Sequence, residues 1–335
     1  MSSYSIILPV KNGGEYLKEC VSSILNQRYS DFKLHILENC STDNTMGWIK
    51  SLKDERIITY PSDKPLTIEE NWRRIKDIPK NEFITLIGHD DILDPDYLMV
   101  MQQLIKKYPD ASLYQSHFRY IDTKGNIIRP CKHMKEKQER TEVLTNFLSC
   151  GIDIVGTGFM MRSKDYDEVG GIPPYPSLLF ADFELWINLA KKSYMAVAQE
   201  EAFAFRIHQS TTTSSSDAVM LKAFERFIGY LIVLKSSDDS FDKVISKNTA
   251  TLLNFYCQGF TSRLLRTDIK KRNGLRVKEI INQFIQYGKS LDANNTFKPL
   301  NNFTTRLALY VDSNFVTRNL FLLFKKIYSK PVLTR

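Results

Sequence analysis

Nothing in this 335-residue sequence approaches the ~18 consecutive apolar residues of a membrane-spanning helix, which predicts a soluble or peripheral protein. The first residues, MSSYSIILPVKNGG, have no basic region ahead of their short apolar run. They read as a first strand rather than a secretory signal, and a cytoplasmic location follows as an expectation. Only five cysteines are present (Cys20, Cys40, Cys131, Cys150 and Cys257), widely spaced and without a CxxC pair. That pattern suggests neither a disulfide framework nor a zinc site. No GxGxxG follows the first apolar run, which ends in PVKNGG, so a dinucleotide-dependent oxidoreductase is disfavoured. No internal repeat is found, and no recognised nucleic-acid-binding motif accompanies the positive charge.

The length suits one large domain or a catalytic domain with an appendage. A net charge of +8 is unevenly spread: residues 261–335 hold 15 Lys or Arg against 4 Asp or Glu, and the remainder holds 31 against 34. The basic character therefore belongs to the tail, and its partner is the tail's partner rather than the active site's.

Short apolar runs alternate with helical patterns over the first hundred residues: SIILPV, then GEYLKECVSSILNQ with Leu17, Val21, Ile24 and Leu25 on one face, then FKLHILE. Strand, helix, strand is the signature of a largely parallel sheet. In TIEENWRRIKDI, Thr67 stands three residues before Glu70, a capping box that fixes a helix start. EFITLIG reads as a buried central strand, and it runs straight into Asp90 and Asp91; DPDYLMVMQQLIKKY then begins a helix with Asp94 as N-cap and Pro95 in its first turn. Two acids thus lie at the carboxyl end of a central strand, the edge where open α/β sheets bind ligands. Hard cations such as Mg²⁺ or Mn²⁺ take one or two protein carboxylates and complete their shell with phosphate oxygens and water. The pair either holds such a cation or caps the next helix, although Asp94 already fills the cap. Beyond residue 112 the pattern becomes mixed, with a hairpin at DTKGN, a helix at ADFELWINLAKK, and strands at YMAVA and AFAFRI. STTTSSSD is a polar break ending in an N-cap at Asp217, and the rest reads as helical. Two regions are expected, 1–213 and 214–335.

Five segments stand in order, ILPVKNGGEYLKECVSSILNQ, ENCSTDNT, GHDD, ADFELW and RIHQST, and together they give the chain a resemblance to a family 2 glycosyltransferase with the GT-A fold, over roughly residues 4–212. ILPVKNGGEYLKECVSSILNQ resembles that family's first strand and helix, and ENCSTDNT its nucleotide-binding loop. GHDD stands where the family carries its DxD metal motif, ADFELW where it carries Glu-Asp and a helix, and RIHQST resembles its late Arg-x-His segment. The resemblance implies an α/β GT-A domain followed by a helical C-terminal region. It further implies an inverting transfer of a hexose from a nucleotide-diphosphate sugar to a saccharide acceptor, helped by Mg²⁺ or Mn²⁺.

Carried over position by position, the resemblance implies that Pro9, Val10 and Asn12 line the nucleotide pocket, with Glu38 and Asn39 near base and ribose. Asn39 replaces an acid of the usual pair, and its carbonyl can still accept a proton from a pyrimidine nitrogen. Ser41, Asp43 and Thr45 either contact the donor or build the turn and helix cap. Gly88 replaces the first Asp of the metal motif, leaving Asp90 on the ribose or metal side, Asp91 on the metal, and His208 to complete the shell. Asp182 is the implied general base, or else a helix cap; Ala181 replaces the preceding acid, whose acceptor contacts then fall to Glu184. Gly156 and Gly158 let backbone approach the acceptor, although two glycines in a strand are also common. Asn71 faces the donor and Arg74 either meets diphosphate or lies on a solvated helix face.

In SNFVTRNLFLLFKKIYSK, Phe315, Val316, Leu320, Phe321, Leu323, Phe324 and Ile327 lie beside Arg318, Lys325, Lys326 and Lys330. This basic amphipathic helix either packs on the catalytic domain or lies on an anionic membrane surface, which would suit a lipid-linked acceptor at the inner face of the cell membrane. The role expected is in polysaccharide biosynthesis of the O-antigen or capsule type. The departures at Gly88 and Ala181 keep open a non-catalytic nucleotide-sugar-binding or scaffold protein.

Overall fold

The protein is described by a computed structural model covering residues 3–208 and 215–328. It divides into two compact units, Met1–Phe147 with Gly151–Ser214, and Leu148–Cys150 with Ser215–Arg335.

The first unit is built from strands β1 (Tyr4–Val10), β2 (Phe32–Glu38), β3 (Ile57–Pro61), β4 (Phe83–Leu86), β5 (Ile92–Leu93), β6 (Leu113–Ile121), β7 (Ile127–Pro130), β8 (Lys137–Glu139), β9 (Met160–Arg162) and β10 (Tyr194–Arg206). Its helices are α1 (Gly14–Leu25), α2 (Thr45–Ser51), α3 (Ile68–Arg73), α4 (Tyr97–Lys107), α5 (Arg140–Leu148), α6 (Ser163–Glu168) and α7 (Ala181–Lys192). The strands form one mixed sheet in the order β3-β2-β1-β4-β9-β6-β10-β5, with β7 on β6 and β8 on β10. Every residue of β1 is buried, as a central parallel strand covered on both faces requires. Helix α1 covers it with Leu17, Cys20, Val21 and Ile24, spaced for one helix face.

Strands β1, β2 and β4 run parallel, with Val10 opposite Glu38 and Ile7 opposite Leu86. Their carboxyl ends therefore release three loops, 11–13, 39–44 and 87–91, along one sheet edge. The capping box of α3 forms as expected: Thr67 Oγ1 accepts from the Glu70 N–H and Glu70 accepts from the Thr67 N–H.

Three local expectations change. Helix α4 begins at Tyr97, and Asp94 does not cap it. A short strand, β5, intervenes, and the Asp94 carboxylate instead takes both terminal nitrogens of Arg119 at 2.7 Å. The two strands expected at 194–207 are one strand, β10, which stays parallel to β6 on both sides of register shifts between Ala198 and Phe203. Helix α8 is capped by Ser216, whose hydroxyl accepts from the Val219 N–H, while Asp217 is its first residue and pairs with Arg263. Much of the polar break before it, and the boundary at 213/214, lie outside the described residues.

The second unit is helical: α8 (Asp217–Lys235), α9 (Asp239–Arg266), α10 (Val277–Leu291), α11 (Phe303–Ser313) and α12 (Phe315–Tyr328). The other four pack on the long α9, and Phe224 of α8 stacks on Phe284 of α10 with ring centroids 5.1 Å apart. Asp312 is buried and bridges elements, accepting from Arg272 at 2.7 Å and from the Val277 N–H at 3.0 Å.

Candidate active site

The loops after β1 and β2 are stitched together by side chains. Asn12, Gly13 and Gly14 donate their backbone N–H groups to Ser41 Oγ, Thr45 Oγ1 and Asp43 Oδ2, and Asn12 Oδ1 accepts from the Thr42 N–H at 2.7 Å. Ser41, Asp43 and Thr45 thus build the loop itself. Asn12 sits in the left-handed region at φ 52, which its short polar side chain tolerates. Pro9 and Val10 end the buried strand beneath this loop.

Glu38 is buried, and its Oε1 accepts from the Ser41 N–H at 2.5 Å. The buried Asn39 amide turns toward Leu66, accepting from its N–H at 2.7 Å and donating to its carbonyl at 2.9 Å. Its carbonyl is thus engaged in holding residues 62–66 against β2, rather than held open for a base. Arg74 is engaged in the same way. Its guanidinium binds the Glu38, Tyr60 and Pro61 carbonyls and the Asn71 side chain. Buried Asn71 in turn donates to the Leu37 carbonyl. Together they clamp the ends of β2 and β3, and the guanidinium is directed at carbonyls rather than at a diphosphate.

At the tip of β4, Asp90 Oδ2 meets His208 Nε2 at 2.5 Å. Gly88 is explained by this corner: a Cβ there would lie 2.5 Å from Asp90 Oδ1 and 3.1 Å from Asp91 Oδ2. Burial works against the charged Asp90, but the His208 hydrogen bond and the nearby His89 hold its carboxyl below the usual range. Burial, reinforced by the Asp90 charge, pushes Asp91 well above it. Arg206 assembles the corner. Its side chain is fully buried; Nε donates to the Asp90 carbonyl at 2.8 Å, a terminal nitrogen donates to Glu19 at 2.5 Å, and the guanidinium lies over the Tyr16 ring. The Tyr16 ring also packs on His208, with centroids 5.3 Å apart.

Asp91 departs from the expected metal shell. It is buried, and both oxygens are engaged within the protein: Oδ1 accepts from the Arg206 N–H at 3.0 Å and Oδ2 from Thr157 Oγ1 at 2.5 Å. Among the described residues, no group of three or more His, Cys, Asp or Glu side chains is arranged to hold a metal ion. Asp90 and His208 alone offer an oxygen and a nitrogen at one point. Such a pair fits a cation that draws its other ligands from phosphate and water.

Asp182 lies in the first turn of α7, half-buried, with Oδ1 accepting from the Phe183 N–H at 3.0 Å. Desolvation lifts its carboxyl to about 6. It does not cap the helix; that position belongs to Phe180, in the left-handed conformation at φ 67. Ser177 (φ 54) and Leu178 (φ 56) share that conformation, so three strained non-glycine residues precede Asp182. Gly156 lies beside Asp182: a Cβ there would be 3.6 Å from Oδ2. Gly158 serves packing instead. It has φ +79, and a Cβ would stand 2.7 Å from the Phe203 ring. Glu184 accepts from the Tyr175 hydroxyl at 2.5 Å, which ties it to the segment before α7. Trp186 fixes the glycine segment from the helix side, donating to the Val155 carbonyl and stacking on Phe159 at 4.3 Å.

Sequence reasoning missed Thr157, and it read Arg206 only as part of a motif. The flanking glycines of GTG were the one local signal for Thr157.

The sequence and the fold both have counterparts among known proteins. Residues 5–170 match the profile of glycosyl transferase family 2. An uncharacterised glycosyltransferase of Rickettsia typhi is 24% identical over 85% of this chain and 92% of its own length. Among solved structures, S. aureus TarS 1-349 in complex with UDP-GlcNAc superposes with a TM-score of 0.64 at 13% identity, covering 92% of this chain and 91% of that one. A mannosyltransferase of Pyrobaculum calidifontis, in complex with GDP-Man and Mn²⁺, matches at a TM-score of 0.51 and 12% identity over 96% of this chain and 87% of its own. With its mixed sheet, the acid corner at β4 and the helical region that follows, the chain belongs to glycosyltransferase family 2 and has the GT-A fold.

Proposed function

We propose that this glycosyltransferase moves a hexose from a UDP- or dTDP-sugar to a hydroxyl of a saccharide acceptor, with inversion at the anomeric carbon and Asp182 as the general base. The observation that carries this reading is the Asp182 carboxyl, lifted to about 6 and set against the bare backbone of Gly156. A base tuned toward neutrality both holds its charge at working pH and accepts a proton readily. In the reaction the acceptor oxygen forms a bond to the anomeric carbon, its proton passes to Asp182, and the bond from that carbon to the donor phosphate oxygen breaks. Pro9, Val10, Asn12, Glu38 and Asn39 form the edge that receives the nucleotide. Gly156 keeps the acceptor side clear of side-chain bulk, and Glu184 positions the segment before α7.

The bound UDP-GlcNAc and GDP-Man of the structural neighbours support a nucleotide-diphosphate donor. Asp90 and His208 would hold Mg²⁺ or Mn²⁺, which supplies positive charge to the departing diphosphate. The acceptor is a lipid-linked saccharide, in synthesis of a surface polysaccharide at the inner face of the cell membrane.

The test is Asp182→Asn. Turnover should fall to background while calorimetric binding of the donor stays within a factor of about two, since an amide keeps shape but cannot take the proton. Loss of donor binding, or retained turnover, would remove Asp182 from this role.

A further inference from the structure

Helix α11 exposes Phe303, Leu307 and Tyr310, each about half or more accessible, at the i, i+4, i+7 spacing of a single stripe. The next helix, α12, exposes Val316, Leu320, Leu323 and Phe324 at i, i+4, i+7 and i+8, with Phe315 beside them. The two helices pack on one another and are joined where Thr317 Oγ1 donates to the Val311 carbonyl. Isolated exposed apolar residues are ordinary, whereas two consecutive stripes in one segment mark an interaction surface.

Charge selects the partner. After Asp292 the sequence holds a single acid, Asp312, and that carboxylate is buried against Arg272. Asp292 itself is buried, capping the turn at Thr296. The apolar stripes are therefore accompanied by the exposed Lys298 and Arg306 and by no surface carboxylate of their own segment, whereas Arg318 is buried beside Asp312 and Lys325 donates to the Arg266 carbonyl. A second copy would bring the same positive charge to the contact, which disfavours pairing. Among the described residues no helix is long and apolar enough to cross a membrane.

We propose that α11 and α12 together form a docking face for an anionic lipid surface. Sequence patterning singled out only α12; α11 doubles the face and carries its own arginine. Apolar side chains enter the acyl boundary while the basic groups remain at the headgroups.

The experiment is vesicle flotation of the full chain with phosphatidylcholine alone and with phosphatidylcholine containing phosphatidylglycerol. Binding should require the anionic lipid and weaken with added salt. Arg306→Ser should weaken it about fivefold, from the loss of one interfacial cation. Leu307→Ser with Tyr310→Ser should weaken it at least tenfold with α12 untouched. These positions are exposed, and an unchanged melting temperature confirms that each variant folds. Equal binding to both vesicle types, no binding to either, or an α11 variant that binds as well as the parent chain would overturn the proposal. So would self-association in sedimentation equilibrium that the α11 variant abolishes, since it would assign the face to a second copy.

Discussion

Thr157 donates its hydroxyl to Asp91 at 2.5 Å, and the residue before it, Gly156, lies against Asp182. Two residues of backbone therefore connect the acid corner at β4 to the proposed base on α7. Thr157→Val keeps the shape and removes the donor, leaving a buried Asp91 oxygen without its hydroxyl partner. The expected cost is about 1–3 kcal/mol of stability. Thr157→Ser should recover most of it, as urea unfolding of both variants will determine.

The two neighbouring glycines should respond oppositely. Gly156→Ala meets ordinary van der Waals space, so it should fold normally and lose activity by filling the acceptor side next to Asp182. Gly158→Ala forces a methyl into the Phe203 ring at a left-handed φ, and should lose at least about 2 kcal/mol. Melting temperature and turnover, measured side by side, separate the two effects.

The raised Asp182 carboxyl predicts both rate and stability as functions of pH. Turnover under kcat/KM conditions should rise with pH through an inflection near 6, where the carboxylate forms. A folded value above the unfolded one means that the folded state holds its proton longer, so this group's contribution declines as pH climbs from about 4 to about 6. Asp182→Asn, which stays neutral, should melt higher than the parent at pH 7, and the gap should close below pH 4. A flat rate profile across this range would oppose the assignment.

His35 behaves with the opposite sign. It is buried in β2, with Nε2 3.1 Å from Ser5 Oγ and Nδ1 3.1 Å from the Tyr60 hydroxyl, and burial lowers it to about 4. The unfolded chain takes up a proton first, so stability should be lost as pH falls from about 6.5 to about 4, on the order of 3 kcal/mol. Denaturant titrations at several pH values should show this slope, and His35→Phe should flatten it.

Local patterns in the sequence carried much of this molecule. The buried run of β1, the spacing of α1, the Thr67–Glu70 box and the acids ending β4 each depend on neighbours within a turn or strand. Asp94 misled because an acid before Pro95 resembles a cap, and only the folded sheet brings Arg119, 25 residues away, to claim it. Arg74 and Asn39 bond backbone groups of residues well separated in sequence, because strand ends leave carbonyls that need donors, and no local pattern announces those partners. Thr157 and Arg206 reach partners 66 and 116 positions distant, and no local spacing encodes such meetings.

The stitched loops after β1 and β2 have a further implication. With Asn12, Gly13 and Gly14 already saturated by Ser41, Thr45 and Asp43, that stretch of sheet edge meets any incoming ligand as a finished mould. Association there need not wait for loop ordering, and selectivity among ligands must come from contours set when the chain folds.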